Sequence, residues 1–378
     1  MPWSLPPPDL LASCLAQPAR LAALSLRQWA RVLVQAREAS LLGTVCHLAE
    51  THGGLESVPE PVRGHLWGGR MAAERNAEAI LWELRCLQRE LGWVKMQPAL
   101  LKGAAYVAAQ TPNAPGRLCN DVDILVPRAE IDRAETALRW MGWMTTHLTA
   151  YDQRYYREWM HELPPMEHMR RGSTLDVHHN ILPETVRRQP DATRLLAQAR
   201  PLGDGSGASV LAPHHMAIHC AVHLFSDGEW ETAIRDLYDF HCLVKGFSAE
   251  QGELFWDALL DEADALAVSV YVHHALRCSR HLLGTRVPGR VISALSAQAP
   301  GRLRQWALDW VFLHAASHRF TSRRPVRHAI SRLALLWRSH WIKMPPLLLL
   351  RHLFYKAFLA PRDDAADAVK EQGAGRHG

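Results

Sequence analysis

The chain has 378 residues, 48% of them hydrophobic, and a net charge of +5 at pH 7. That length and apolar content supply a sizeable core for two or three structural units of a soluble globular protein. Seven scattered cysteines with no CxxC pair argue against a disulfide framework or a zinc ribbon, and no apolar run reaches the roughly 18 to 20 residues that a membrane span requires.

In chain order, residues 9 to about 92 read as helices. "LRQWARVLVQAREASLLGTVCHLAE" and "RMAAERNAEAILWELRCLQREL" carry apolar positions at three- and four-residue spacing, with the loop "THGGLESVPEPVRG" between them. After Gly92 the texture changes. "PALLKG" and "DVDILVP" are short apolar runs closed by Gly or Pro, as buried strands are, and "AAYVAAQTPNAPGR" between them gives a short helix and a turn. "RAEIDRAETALRWMG" is a helix ending at a C-cap glycine, Gly142. "WMTTHLT" follows, and then "HELPPMEHMRRGSTLDVHHNIL", a hairpin turning at Arg170 to Ser173. In "TLDVHHNI" the period is two, so Asp176 and His178 share one face while Leu175 and Val177 take the other. From Pro213 to about Ala360 the signal is helical again, with proline interruptions, and the tail reads as frayed.

Two aspartates, Asp121 and Asp123, stand at the mouth of the run Ile124 to Val126. Carboxylates at i and i+2 of a strand project to one side, about 7 Å apart along the backbone, where each raises the cost of ionising the other. A bound cation resolves that conflict. Mg²⁺ takes hard oxygen ligands and completes its shell with substrate phosphates, and a third carboxylate on a neighbouring strand lets two ions clamp a phosphoryl displacement. Asp176 is the candidate for that third ligand. Alone, a DxD more often marks a solvated turn or a helix cap; here "LLKGAAY", "GRLCNDVDILV", a helix ending "LRWMGW" and "TLDVHHNIL" follow one another in order.

Together these segments resemble the uncharacterised nucleotidyltransferase family of the DNA polymerase β-like superfamily. The resemblance implies an α+β fold, in which a small mixed-sheet palm is flanked by helical regions. The divisions are an N-terminal helical region 1–93, a nucleotidyltransferase palm 94–190, a C-terminal helical region 191–360 and a disordered tail 361–378. It also implies that Asp121, Asp123 and Asp176 are catalytic and hold Mg²⁺, two ions in all. The reaction implied is attack by an acceptor group on the α-phosphorus of a nucleoside triphosphate such as ATP, with pyrophosphate leaving. The acceptor would be a small molecule, a saccharide or a protein. The chain departs from the superfamily pattern in having Lys102-Gly103-Ala104 where a glycine-serine pair is usual, and His179 where the family often has Trp. Lys102 and Gly103 would then meet phosphate as a cation and an open backbone, with Arg117 and His178 as further nucleotide contacts.

Each of these residues also has a plainer reading. Arg117 could pair with the aspartates, Lys102 could cap a strand end, and His178 could be a hydrogen-bonded core histidine. His215, His219 and His223 form one helical stripe; three ligands from one straight helix cannot easily surround an ion, so packing against the palm is expected, with His219 or His223 near the cleft. Asp236 and Asp239 are expected to pair with basic neighbours. From Arg319 to Arg362 there are ten Lys or Arg and no Asp or Glu, which points to an anionic partner. Within that block, residues 347–359 read as a core helix with basic edges, a membrane-surface helix on anionic lipid, or part of a polyanion groove. No dedicated nucleic-acid motif is present, and the expected location is cytoplasmic, with peripheral membrane contact as an extension. A catalytically inactive nucleotide- or polyanion-binding protein that retains the palm is the competing reading.

Overall fold

The structure, a computed structural model, describes residues 5–146, 149–203, 208–228, 230–298, 300–317, 325–345 and 348–351. The tail 361–378 and most of the 347–359 segment lie outside these residues.

The N-terminal helices are α1 (Leu10–Ala16), α2 (Leu26–Glu38), α3 (Leu42–His52) and α4 (Glu60–Gly92). A capping box starts α2, where the Ser25 hydroxyl accepts from the Gln28 backbone and the Gln28 side chain accepts from the Ser25 N–H. The helical run expected to continue to Glu50 breaks at Ala39–Leu41, where Ser40 takes a positive φ of 56°. The sheet and its helices follow: β1 (Ala99–Leu101), α5 (Lys102–Ala108), β2 (Val122–Leu125), α6 (Ile131–Trp140), β3 (Trp143–Thr145), α7 (Ala150–Arg154), β4 (Met166–His168) and β5 (Thr174–His178). Next come α8 (Ala192–Ala197), β6 (Arg200–Pro201) and β7 (Ser209–Val210). The remaining helices are α9 (Pro213–Ser226), α10 (Ala233–Gln251), α11 (Glu253–Ala265), α12 (Ser269–Leu283), α13 (Gly289–Ala297), α14 (Arg302–Ala315) and α15 (Pro325–Lys343).

The fold is therefore α+β, a mixed sheet between helical layers, in strand order β3-β4-β5-β2-β1-β7-β6. β2 runs antiparallel to β1 and parallel to β5, and β7 runs parallel to β1. The short strands β6 and β7 extend the sheet beyond residue 190, where the palm was expected to end, because β7 pairs with the outer edge of β1. Two-residue strands carry no readable alternation, so the sequence pattern does not display them.

One apolar core runs from α1 through the sheet to α14 and includes Trp29, Trp143, Phe225, Phe240, Phe255 and Phe312, all fully buried. Burial of each such side chain is worth about 1.5–3 kcal/mol. All seven cysteines are buried free thiols. Among the described residues, no helix is long and apolar enough to cross a membrane.

Candidate active site

The site forms where β2 and β5 lie side by side. In their parallel register Val122 faces Leu175, Asp123 faces Asp176, and Leu125 faces His178. Residues opposite each other in neighbouring strands point to the same side of the sheet, so the apolar residues fill the core while Asp123 and Asp176 share the other face. The structure thus brings Asp176 to the side of Asp123. Asp121 lies one residue before β2 rather than on it, in the bend that leads into the strand.

Asp123 is wholly buried, and its two oxygens differ. Oδ1 accepts from the Lys102 ammonium at 2.7 Å and lies 2.9 Å from His178 Nε2, while Oδ2 is buried with no partner. Burial alone would push this carboxyl up, but Lys102 and His178 override it and hold Asp123 well below the usual carboxylate range. Its neighbours shift the other way. Burial and the charge of Asp123 raise Asp121, and the same two causes raise Asp176 to about 7. Ligating atoms of Asp123, Asp176 and His178 all lie within 4.8 Å of one another. An unpartnered buried carboxylate oxygen facing a second carboxylate is the donor set that a divalent cation completes, so these residues fit such an ion.

Lys102 opens α5 with a φ of 45°, in the left-handed region that a side chain occupies at a cost of about 1–3 kcal/mol. That backbone holds its ammonium on Asp123, and burial, which would lower its pKa, is outweighed by that carboxylate. Gly103 is needed for packing: a Cβ there would lie 2.5 Å from Arg117 Nη1 and 2.6 Å from Cys119 Sγ. Arg117 is buried and turned away from Asp123. Its Nε donates to Asp239 at 2.8 Å and its Nη1 to the Leu118 carbonyl. It joins α10 to the site loop, and its partner is Asp239 instead of the DxD pair. Asp236 pairs with Arg235 at 2.9 Å. A cavity of about 120 Å³ beside Asp121 is lined by Lys102, Gly103, Arg117, His223, Arg235 and Asp236 among others.

His178 bridges two acids, with Nε2 on Asp123 and Nδ1 3.1 Å from Glu162 Oε2. Of the histidine stripe, His215 meets Glu262 at 3.0 Å, His223 reaches the cavity, and His219 is buried beside its stripe neighbour His223. Burial and the nearby Lys102 depress His223 to about 4, so it is neutral at pH 7.

Three contributors escaped the sequence reading. Asn76 of α4 clamps the site loop, donating from Nδ2 to the Cys119 carbonyl and accepting from the Cys119 N–H at 2.7 Å. His161 and Glu162 come beside β5 through the antiparallel bridge of Glu162 with His178. Their available signal was the pair "HE" ahead of the hairpin, which reads as polar loop until strand pairing places it.

A family model described as an uncharacterised nucleotidyltransferase matches residues 25–284, more than half of the chain. No curated protein and no solved structure matches it.

Proposed function

We propose, from the premise that this chain belongs to the uncharacterised nucleotidyltransferase family, that it is an Mg²⁺-dependent enzyme moving a nucleoside monophosphate from an NTP, such as ATP, to an acceptor. The acceptor class is a small molecule, a saccharide or a protein. What carries this reading is the register of Asp123 opposite Asp176, with Asp123 Oδ2 buried and unpartnered.

In the proposed site Asp121, Asp123 and Asp176 hold the metal, which when bound offsets the charge of the phosphates and eases ionisation of the acceptor hydroxyl. The acceptor oxygen forms a bond to the α-phosphorus, the bond to the β-phosphate oxygen breaks, and pyrophosphate leaves with the electron pair. Asp176, as one of the metal's ligands, would take the acceptor proton, and its raised pKa of about 7 belongs to the metal-free site. Lys102 supplies a fixed positive charge beside the phosphates, and Gly103 lets the backbone approach them. His178 orients Asp123 through its Nε2. Arg117, whose Nε is taken by Asp239, acts by holding the loop.

Incubation of the protein with each α-labelled NTP and candidate acceptors tests the reading. Asp121→Ala and Asp123→Ala should each cut label transfer by about a hundredfold or more while leaving the circular dichroism spectrum unchanged. Transfer at the normal rate by either variant would overturn it. One observation favours a second reading, an inactive nucleotide-binding protein: the Lys102 ammonium already occupies an oxygen of Asp123. Under that reading NTP binds, but no pyrophosphate is released with any acceptor. Contact of the basic C-terminal residues with anionic lipid or polyanion is a separate part of the proposal, measured by salt-dependent vesicle or polyanion binding.

A further inference from the structure

On the far side of His178 from Asp123 the chain assembles a second donor set. His161, Glu162 and His178 each offer a ligating atom, and these atoms lie within 4.8 Å of one another. The position is built. The Glu162–His178 bridge fixes one strand to the other, Leu163 N–H donates to the Val177 carbonyl, and the His161 carbonyl accepts from His179 N–H at 2.9 Å. The imidazole of His178 is 3% exposed and cannot turn away to water.

Hydrogen bonding then limits what each nitrogen can do. If His178 Nε2 carries the proton that bonds Asp123, Nδ1 presents its lone pair to the Glu162 carboxylate 3.1 Å away. Two acceptors at that distance repel unless a proton or a cation lies between them. A carboxylate holding one imidazole nitrogen so that the other meets a metal is a recurrent way of orienting a histidine ligand. His161 adds a buried Nδ1 without a hydrogen-bond partner.

We propose that His161, Glu162 and His178 bind one borderline first-row transition ion of the Zn²⁺ class, at a position separate from the all-oxygen set of Asp121, Asp123 and Asp176. Two imidazoles and a carboxylate suit such an ion and are a poor match for Mg²⁺, and three protein ligands leave a coordination position open. The proposal rests on the donor geometry and stands or falls apart from nucleotidyl transfer.

The test is Zn²⁺ uptake by the full chain after stripping with EDTA, measured by equilibrium dialysis and elemental analysis in excess Mg²⁺. Wild-type protein should take up one equivalent. His161→Ala and Glu162→Gln should each weaken binding about tenfold or more, whereas Glu167→Gln, at an exposed carboxylate of β4, should bind as wild type does. Thermal melts of each variant identify any loss due to unfolding, and Glu162→Gln, which preserves shape, decides if His161→Ala unfolds. No Zn²⁺ uptake by the wild type would overturn the proposal. So would undiminished uptake by folded Glu162→Gln, which would mean that a proton bridges His178 and Glu162 and that any Zn²⁺ sits elsewhere.

Discussion

At the scale of single residues, the proposed chemistry turns on how unequally three carboxylates are treated. Asp123 is compensated by Lys102 and His178, and Asp176 is left to bear the cost of a charged neighbour. With metal chelated, the folded chain keeps a proton on Asp176 up to about pH 7, while the unfolded chain releases it near the ordinary value of 3.8. The folded state thus binds the extra proton between those values, so the stability this group contributes at low pH is lost as pH rises through about 7. Asp176→Asn removes that slope. Its melting temperature should be close to wild type at about pH 4 and higher than wild type at about pH 8; parallel melting curves across that range would contradict the assignment. The shared face of Asp176 and His178 was legible because strand periodicity is local, whereas Asp121 was expected on the strand and lies in the bend before it. The partners were not legible. Arg117 meets Asp239 of α10, 122 residues further on, and His178 meets Glu162 through strand pairing, so neither contact has a spacing that sequence alone can display.

At the scale of elements, α4 acts as a splint for the sheet. Asn76, Glu83 and Glu90 recur every seventh residue and so share one face. Asn76 holds the Cys119 loop, Glu83 accepts from Arg171 and Ser173 at the hairpin turn, and Glu90 accepts from Arg171 and from Trp143 Nε1. Glu83 is only 2% exposed, so removing its cation leaves a charge buried without compensation. Arg171→Ala should destabilise the protein by about 3 kcal/mol in urea unfolding; a loss under about 0.5 kcal/mol would show the pair to be a solvated surface contact. The helix itself was readable from its apolar period. Its polar stripe was not, because polar residues on a helix ordinarily face water, and only the tertiary fold turns these three toward the sheet. The same loop is pinned from α3. Gly116 has a φ of 76°, and a Cβ there would come within 2.4 Å of the Gly43 carbonyl oxygen. Gly116→Ala should therefore cost about 1–3 kcal/mol and reduce label transfer through displacement of Asp121. Unchanged stability and transfer would argue against a tight seam between α3 and the site loop.

At the scale of the whole molecule, the family match spans α2 to α12 and leaves α13 to α15 outside it. The basic C-terminal block belongs to that outer part, and three of its described members turn toward the body of the protein while Arg351 is exposed. Arg332 pairs with Glu231, Lys343 pairs with Asp227 at 3.0 Å, and Arg338 lies over the Phe312 ring. Arg332 and Lys343 thus counter acids of the preceding helical region, a use that a count of charges within 319–362 could not reveal. The overall plan of helices, mixed sheet and helices was legible from changes of period along the chain, whereas the seven-strand order depended on two short strands with no pattern of their own. The central claim is that the carboxylates of β2 and β5 converge to hold a divalent ion against a nucleoside triphosphate. Its most direct measurement is a crystal structure with Mn²⁺ and a non-hydrolysable NTP, read by anomalous scattering. The expected result is an anomalous peak ligated by Asp123 and Asp176 and touching phosphate; a nucleotide seated elsewhere, with Lys102 still filling Asp123 and no metal at these carboxylates, would contradict the account.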